Sequence, residues 1–435
     1  MFKKIMNASL LICLSSMSNF VLAGTNDIEQ KVLQLEKESA AQRLEIERLK
    51  KQIENDGRVS SNPDATNLEK KIKDVDLKAK ARYAALKRSL EKEQERLTFN
   101  GFLSAGLVQS NRDVEFLNFG FKEQASFRTD AIVGVQTTYR IAEKTSATVQ
   151  MVANGVDNFT VEAVWGYVSY NANDNLKYRA GRMKLPLYLI SESLDIGFTY
   201  PYVRPPIELY VTPLSSFEGM DLLYRFYAGN WINELQFGIG TFERANFGNG
   251  ISIVGEDAIV SNITSTNGPW TLRLSYNQTN LDVQVEGLTS ADLAALGVEA
   301  KNKTPFINAG LIYDDGEWLV LSEFVDLAPK SGAVNAENKM YATVGRRIDQ
   351  WLPYVTFARL YTTSNTDDDA RRVPIFTIYE GNSYSVGVRK DISSSIAAKC
   401  EINYFTDFED TQGPFNSDPG AESVTIYTFL IDAVF

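Results

Sequence analysis

Lys177, Arg179, Arg182 and Lys184 crowd into one short run, Lys177-Tyr-Arg-Ala-Gly-Arg-Met-Lys184. A run of this kind can attract or hold anions, but it cannot by itself break a bond. Arg128, Arg140, Arg225, Arg273, Arg359, Arg389 and Lys399 lie elsewhere on alternating positions of apolar-polar stretches, with Asp130, Glu162, Asp221, Glu234, Glu401 and Asp432 among them. Period-two alternation sends such a set to one face of a strand. The chemistry open to it is electrostatic: raising the local anion concentration and replacing lost hydration. Bond-making chemistry fails on inventory. The chain has no histidine, which removes Ser-His-Asp triads, imidazole bases and His-ligated metals. Its two cysteines, Cys13 and Cys400, cannot form a Cys-cluster metal site. No Walker loop or dinucleotide fingerprint is present. Acids are plentiful, but nothing selects a pair for glycoside hydrolysis. Asp367-Asp368-Asp369 reads as a solvated loop tip rather than a calcium site. The formal charge of −11 argues against a nucleic-acid partner. The sequence therefore predicts no catalytic residue, no cofactor and no metal.

The cations must be positioned by strands. From Phe99 onward the chain is rich in Val, Ile, Tyr, Phe and Thr. Candidate strands start near residues 99, 124, 145, 159, 175, 219, 231, 258, 269, 304, 317, 339, 351, 380, 395 and 422. Tight hairpin chemistries alternate with longer polar links: Ala142-Glu-Lys, Asn173-Asp-Asn, Gly229-Asn230, Asn267-Gly268, Asp314-Asp-Gly, Ile348-Asp-Gln and Asp391-Ile-Ser. Alternating tight and long links over an even strand count is what a closed transmembrane barrel needs, and a soluble sandwich has no reason for it. The last strand, Val424 to Phe435, carries Tyr427, Phe429, Ile431 and Ala433 on one face and Thr428, Leu430 and Asp432 on the other. It is expected to pair with Phe99 to Gln109, leaving no open edge.

Upstream, Lys3 and Lys4 precede the apolar Ile5–Leu14, and Val21-Leu-Ala23 offers small residues for cleavage. Residues 1–23 read as a secretory signal peptide; without its two lysines the charge becomes −13. Residues 24–98 form the next expected domain. Ile28, Val32, Leu35, Ile46, Leu49 and Ile53 follow a heptad seam punctuated by Ser39 and Gln42. Thr66 with Glu69 is a capping box that starts a second helix. The expected architecture is an all-β transmembrane barrel of about 16 antiparallel strands over 99–435, preceded by an α-helical coiled-coil segment.

Signal, stalk, alternating turns and terminal Phe435 together resemble the trimeric porins of Gram-negative bacteria, and more narrowly the coiled-coil-bearing channels of the DcaP-like group. The resemblance implies a homotrimer in outer-membrane lipid, with the coiled coil in the periplasm and the cell wall within its reach. It implies passive diffusion of small hydrophilic solutes through a water-filled lumen. It also implies that the long Pro-rich link Leu185–Phe217 folds inward as a constriction loop, carrying Glu192, Asp195, Arg204 and Glu208 toward the lumen. With Arg128, Arg140, Lys177, Arg179, Arg225, Arg273, Arg359, Arg389 and Lys399 lining the pore, a mild anion preference is expected. The alternative is a structural tether or surface receptor with a plugged barrel.

Overall fold

A computed structural model describes residues 96–435, apart from 117–118, 211–214, 245–250, 296–300, 330–335, 364–378 and 417, together with six isolated helical positions between 44 and 77. The predicted signal peptide lies outside the described residues, as does the predicted coiled coil 24–98 apart from those six positions and residues 96–98. Thr98–Phe435 is one compact unit.

The strands are β1 Leu97–Ser110, β2 Val114–Phe116, β3 Phe119–Phe121, β4 Ile132–Ala142, β5 Thr145–Asn154, β6 Val161–Asn173, β7 Leu176–Lys184, β8 Ser216–Ala228 and β9 Trp231–Arg244. They continue as β10 Ile251–Asn267, β11 Trp270–Val285, β12 Lys301–Asp314, β13 Trp318–Leu327, β14 Glu337–Arg346, β15 Trp351–Thr362, β16 Glu380–Ser393, β17 Ile396–Thr406 and β18 Val424–Val434. All except β2 and β3 join one closed barrel of sixteen strands, and the β2–β3 hairpin stands apart from it. Closure comes from antiparallel pairing of β1 with β18, in register from Phe102 with Val434 to Ser110 with Ile426. Closure satisfies every edge hydrogen bond, which a spanning sheet requires.

The tight turns fall where their residues permit them. Gly229 (φ 58°) and Gly268 (φ 54°) adopt the left-handed backbone that hairpin turns need. In the β12–β13 turn the Asp315 carboxylate is held below the usual carboxylate range by the backbone N–H groups of Trp318 and Glu317.

Two expected strand starts are corrected, and one of them is β10, expected near 258, which begins at Ile251. The second wall strand begins at Ile132 rather than near 124, because the chain first makes the β2–β3 hairpin and the connection that follows. Phe116 and Phe121 of that hairpin pack with Phe405, Phe408 and Phe415 in an apolar cluster.

The faces follow period two. In β18, Tyr427, Phe429 and Ile431 are exposed, whereas Ile426, Thr428, Leu430 and Asp432 are buried. The outward row is the hydrocarbon face of a barrel wall. Four of the five tryptophans, Trp231, Trp270, Trp318 and Trp351, each open a strand directly after a tight turn. They form one aromatic rim, the device that seats a barrel at a membrane interface. Among the described residues no helix is long and apolar enough to cross a membrane, and a barrel crosses with strands instead.

Candidate pore-lining site and its inner loop

Two sets of residues make the site: the inward face of the barrel and the segment 185–215 between β7 and β8. That segment is rich in Pro and Tyr, so it cannot pair as a strand, yet it carries enough apolar surface to stay ordered. Short 3₁₀ turns at Ser191–Ser193 and Gly197–Thr199 and a helical turn at Ile207–Tyr210 compact it. Its partners are residues of the inner wall.

The largest group of apolar contacts lies on one side of the interior, while Ile207 joins Leu360 and Phe405, and Ile196 packs against Phe102, Val152 and Val164. Leu185, Leu187, Tyr188 and Leu209 pack with inward-facing Leu281, Phe306, Leu321 and Val325 in a single buried cluster. This explains why β11 to β13 carry apolar residues on both faces: one row meets lipid and the other meets the loop. Glu323 of β13 sits at the edge of the cluster. Its carboxylate accepts from Leu189 N–H (2.8 Å), Asn308 Nδ2 (2.8 Å), Tyr341 OH (3.1 Å) and Tyr210 OH.

The polar contacts are made by three of the predicted cations and one loop arginine. Lys399 Nζ donates to the carbonyls of Gly197 (2.6 Å) and Tyr202 (2.7 Å) and pairs with Asp432 at 2.8 Å. Arg389 Nη1 donates to the carbonyls of Phe198 (2.6 Å) and Tyr200 (3.0 Å). Arg273 Nη2 donates to Pro186 O at 3.2 Å. From the loop, Arg204 forks onto both oxygens of Asp130 (2.9 and 2.5 Å) and reaches Asn403 Oδ1 and Thr428 Oγ1. Wall cations thus satisfy loop carbonyls that would otherwise be buried without partners.

The remaining predicted site residues divide three ways. Arg179 shares the inward face of β7 with Lys177 and is held by Asp221 (2.5 Å) and by Glu192 of the loop (3.3 Å). Arg225 is half-exposed and pairs with Glu234 at 3.2 Å. Arg140 is exposed on the inward row of β4 with Gln136 and Thr138, and neither it nor Lys177 has an ion-pair partner among the described residues. Two positions are corrected. Arg128 lies in the connection before β4, not on the wall, and its Nε donates to Gly155 O at 2.8 Å. Arg359 shares the outward row of β15 with Val355 and Phe357, lies over the Tyr361 ring and pairs with Glu380 at 3.3 Å. A long guanidinium at a strand end can reach water from the lipid face, so charge alone does not reveal the direction.

Of the four loop charges, Glu192 is over half exposed and Asp195 pairs with Lys184 at 2.5 Å. Arg204 and Glu208 are buried against the wall instead of facing open lumen. Sequence reasoning missed Glu323, whose loop partners Leu189 and Tyr210 lie more than a hundred residues away, Tyr341, which donates to that same Glu323, and Ser104, whose partner lies across the barrel seam. A cavity of about 250 Å³ lies between the loop and the seam, lined by Ile196, Phe102, Gln136, Gln150 and Val434.

The closed sixteen-stranded barrel is similar in fold to solved outer-membrane barrels. No protein-family model and no curated relative matches the sequence. Among solved structures, the chain is similar to the outer-membrane channel DcaP of Acinetobacter baumannii, with 10% identity over 78% of this chain and 97% of that one and a TM-score of 0.55. It is similar to an anion-selective porin from Comamonas acidovorans, with 13% identity over 78% and 99% and a TM-score of 0.50. It is also similar to the trimer form of OmpT, an outer-membrane protein of Vibrio cholerae, with 11% identity over 78% and 99% and a TM-score of 0.51. At these identities the likeness is one of fold.

Proposed function

We propose that this chain is an outer-membrane porin, a homotrimer that lets small hydrophilic solutes diffuse passively through a barrel narrowed by segment 185–215. The observation that carries this reading is the inner loop itself, seated by wall cations against one side of a closed sixteen-stranded barrel. The loop packs chiefly against β11 to β18, with further contacts from Glu192 and Asp195 to β7 and from Ile196 to Phe102, Val152 and Val164. The passage then runs along β4 to β8, where Arg140, Lys177 and Arg225 keep exposed side chains. A mild anion preference fits Arg140 and Lys177, which have no ion-pair partner among the described residues, although four of the nine predicted ladder cations, Arg179, Arg273, Arg389 and Lys399, hold the loop. The named DcaP channel and anion-selective porin share the fold, and OmpT is recorded as a trimer. Single-channel conductance in planar bilayers, with reversal potentials in a salt gradient, tests this. A stepwise conductance with anion-leaning reversal is expected.

The plugged-barrel reading draws on the same interior. The apolar cluster of Leu185, Leu187, Tyr188 and Leu209 against Leu281, Phe306 and Val325 is a packed core, and a packed core does not conduct. Absence of any conductance from folded trimers would favour a tether or receptor.

A further inference from the structure

Arg204, Glu208 and Glu401 surround a cavity of about 10 Å³ where the loop crosses β15 to β17, room for one water-sized occupant. Glu208 is 2% exposed and Glu401 3%. The cations facing this compartment are already committed. Arg204 forks onto Asp130 and gives Nη1 to Asn403, and Lys339 of β14 pairs with Glu337 at 2.8 Å. Lys399, two residues from Glu401 on the inward row of β17, pairs with Asp432. The other titratable groups are phenols: Tyr202 and Tyr210 of the loop, Tyr341 of β14 and Tyr354 of β15. Two of these, Tyr210 and Tyr341, donate to Glu323 instead. From β16 come only the hydroxyls of Ser383 and Ser385.

The two carboxyls are held differently. Glu401 accepts from Tyr354 OH (2.5 Å) at one oxygen and from Asn403 Nδ2 (2.8 Å) at the other, which suits an ionised carboxylate. Glu208 Oε1 is buried with no hydrogen-bond partner, and a charged oxygen left in that state is costly. A proton on Glu208 removes the charge, and burial favours the protonated form.

We propose that Glu208 is a proton-operated latch: protonated, it lets the helical turn Ile207–Tyr210 lie against the wall, and ionised, it lifts that turn away. The turn is four residues long. It is fastened at one end by Ile207, packed with Leu360 and Phe405, and at the other by Tyr210 on Glu323. Glu208 lies between these fastenings and faces a second carboxyl, so its charge acts on the whole turn. A carboxyl raised in the seated state favours that state at low pH and releases it as pH rises through the raised value. The latch needs the loop to be seated as described and does not depend on the barrel conducting.

The test is hydrogen exchange of the full-length protein in detergent micelles from about pH 5 to about pH 9, with intrinsic rates corrected for pH. The N–H groups of Leu209 and Tyr210, which bond to the Pro206 carbonyl, report the turn. Their protection should fall at least about tenfold as pH rises, the equivalent of one pKa unit. Glu208→Gln, checked for folding by heat-modifiable gel mobility, should keep the low-pH protection throughout. Glu401→Gln should move the wild-type transition to lower pH, because removing a like charge makes Glu208 easier to ionise. Wild-type protection that ignores pH would overturn the proposal, and so would a Glu208→Gln protein that keeps the wild-type transition. A transition left in place by Glu401→Gln would overturn the part given to the second carboxyl. Because the readout is exchange, a failure here is distinct from a failure of the porin reading.

Discussion

Lys399 of β17 and Asp432 of β18 lie 2.8 Å apart with neither side chain exposed, and the inner loop rests on that pair. Ser104 of β1 donates to Asp432 Oδ1 at 2.5 Å, and Ser104 and Asp432 are register partners across the seam. Gly197 of the loop offers its carbonyl to Lys399. A Cβ at Gly197 would run into Asp432 Oδ1 and Ser104 Oγ, so only glycine fits. The contact that closes the barrel and the contact that seats the loop are therefore one assembly.

Lys399→Met should destabilise the barrel by about 3–5 kcal/mol, because it strands a buried Asp432 and two loop carbonyls. Lys399→Met combined with Asp432→Leu should recover a large part of that loss, since no charge is left alone. Equilibrium urea unfolding in lipid vesicles measures both. An undiminished loss in the double variant would show that the carbonyls, not the carboxylate, set the cost.

Gly197→Val should unseat the loop, because its side chain would press on Asp432 and Ser104 of the wall. Overpacking of this kind costs about 1–3 kcal/mol where the neighbours cannot yield. The expected result is a barrel that still folds but shows a larger and noisier single-channel conductance. Unchanged conductance would mean that segment 185–215 does not bound the passage.

Removing both unpartnered inner cations, Arg140→Gln with Lys177→Gln, should move the reversal potential toward cations. Arg359→Gln should leave it alone, because Arg359 stands on the outward row of β15. A shift from Arg359→Gln equal to that of the pair would reverse these face assignments.

The strands were legible because a half-apolar wall repeats every two residues, and the turns because Gly229, Gly268 and Asp314-Asp-Gly316 carry their own backbone requirements. The aromatic rim was equally readable, since Trp231, Trp270, Trp318 and Trp351 each follow a tight turn. Arg128 and Arg359 misled for different reasons. The first follows a hairpin whose Phe116 and Phe121 look like wall residues, and the second snorkels from a lipid-facing row. Leu321 and Val325 face inward although they are apolar, because they meet the loop instead of water. No local pattern tells that Glu323 waits for Leu189, or Lys399 for Gly197. Those partners are chosen by closure of the barrel, which alternation implies but does not place.

Cys400 is exposed on the outward row of β17, paired in register with Phe429 and Val388. In proteoliposomes a membrane-impermeant maleimide should fail to label it, while urea-unfolded protein labels fully. Rapid labelling of the folded, membrane-embedded protein would place this row in water and contradict the face assignment of both β17 and β18.

Glu208 links the seating of the loop to pH. Burial pushes its carboxyl above the ordinary value of 4.5, with a hydrogen bond from Ser383 opposing the shift. A carboxyl raised in the folded state contributes stability that is complete below its unfolded value and is lost as pH rises through its folded value. The protein should therefore resist heat better at about pH 4 than at about pH 8 relative to Glu208→Gln, whose neutral amide cannot titrate. Thermal unfolding of both proteins across that range measures it. Parallel curves for wild type and variant would show that Glu208 does not titrate with the fold.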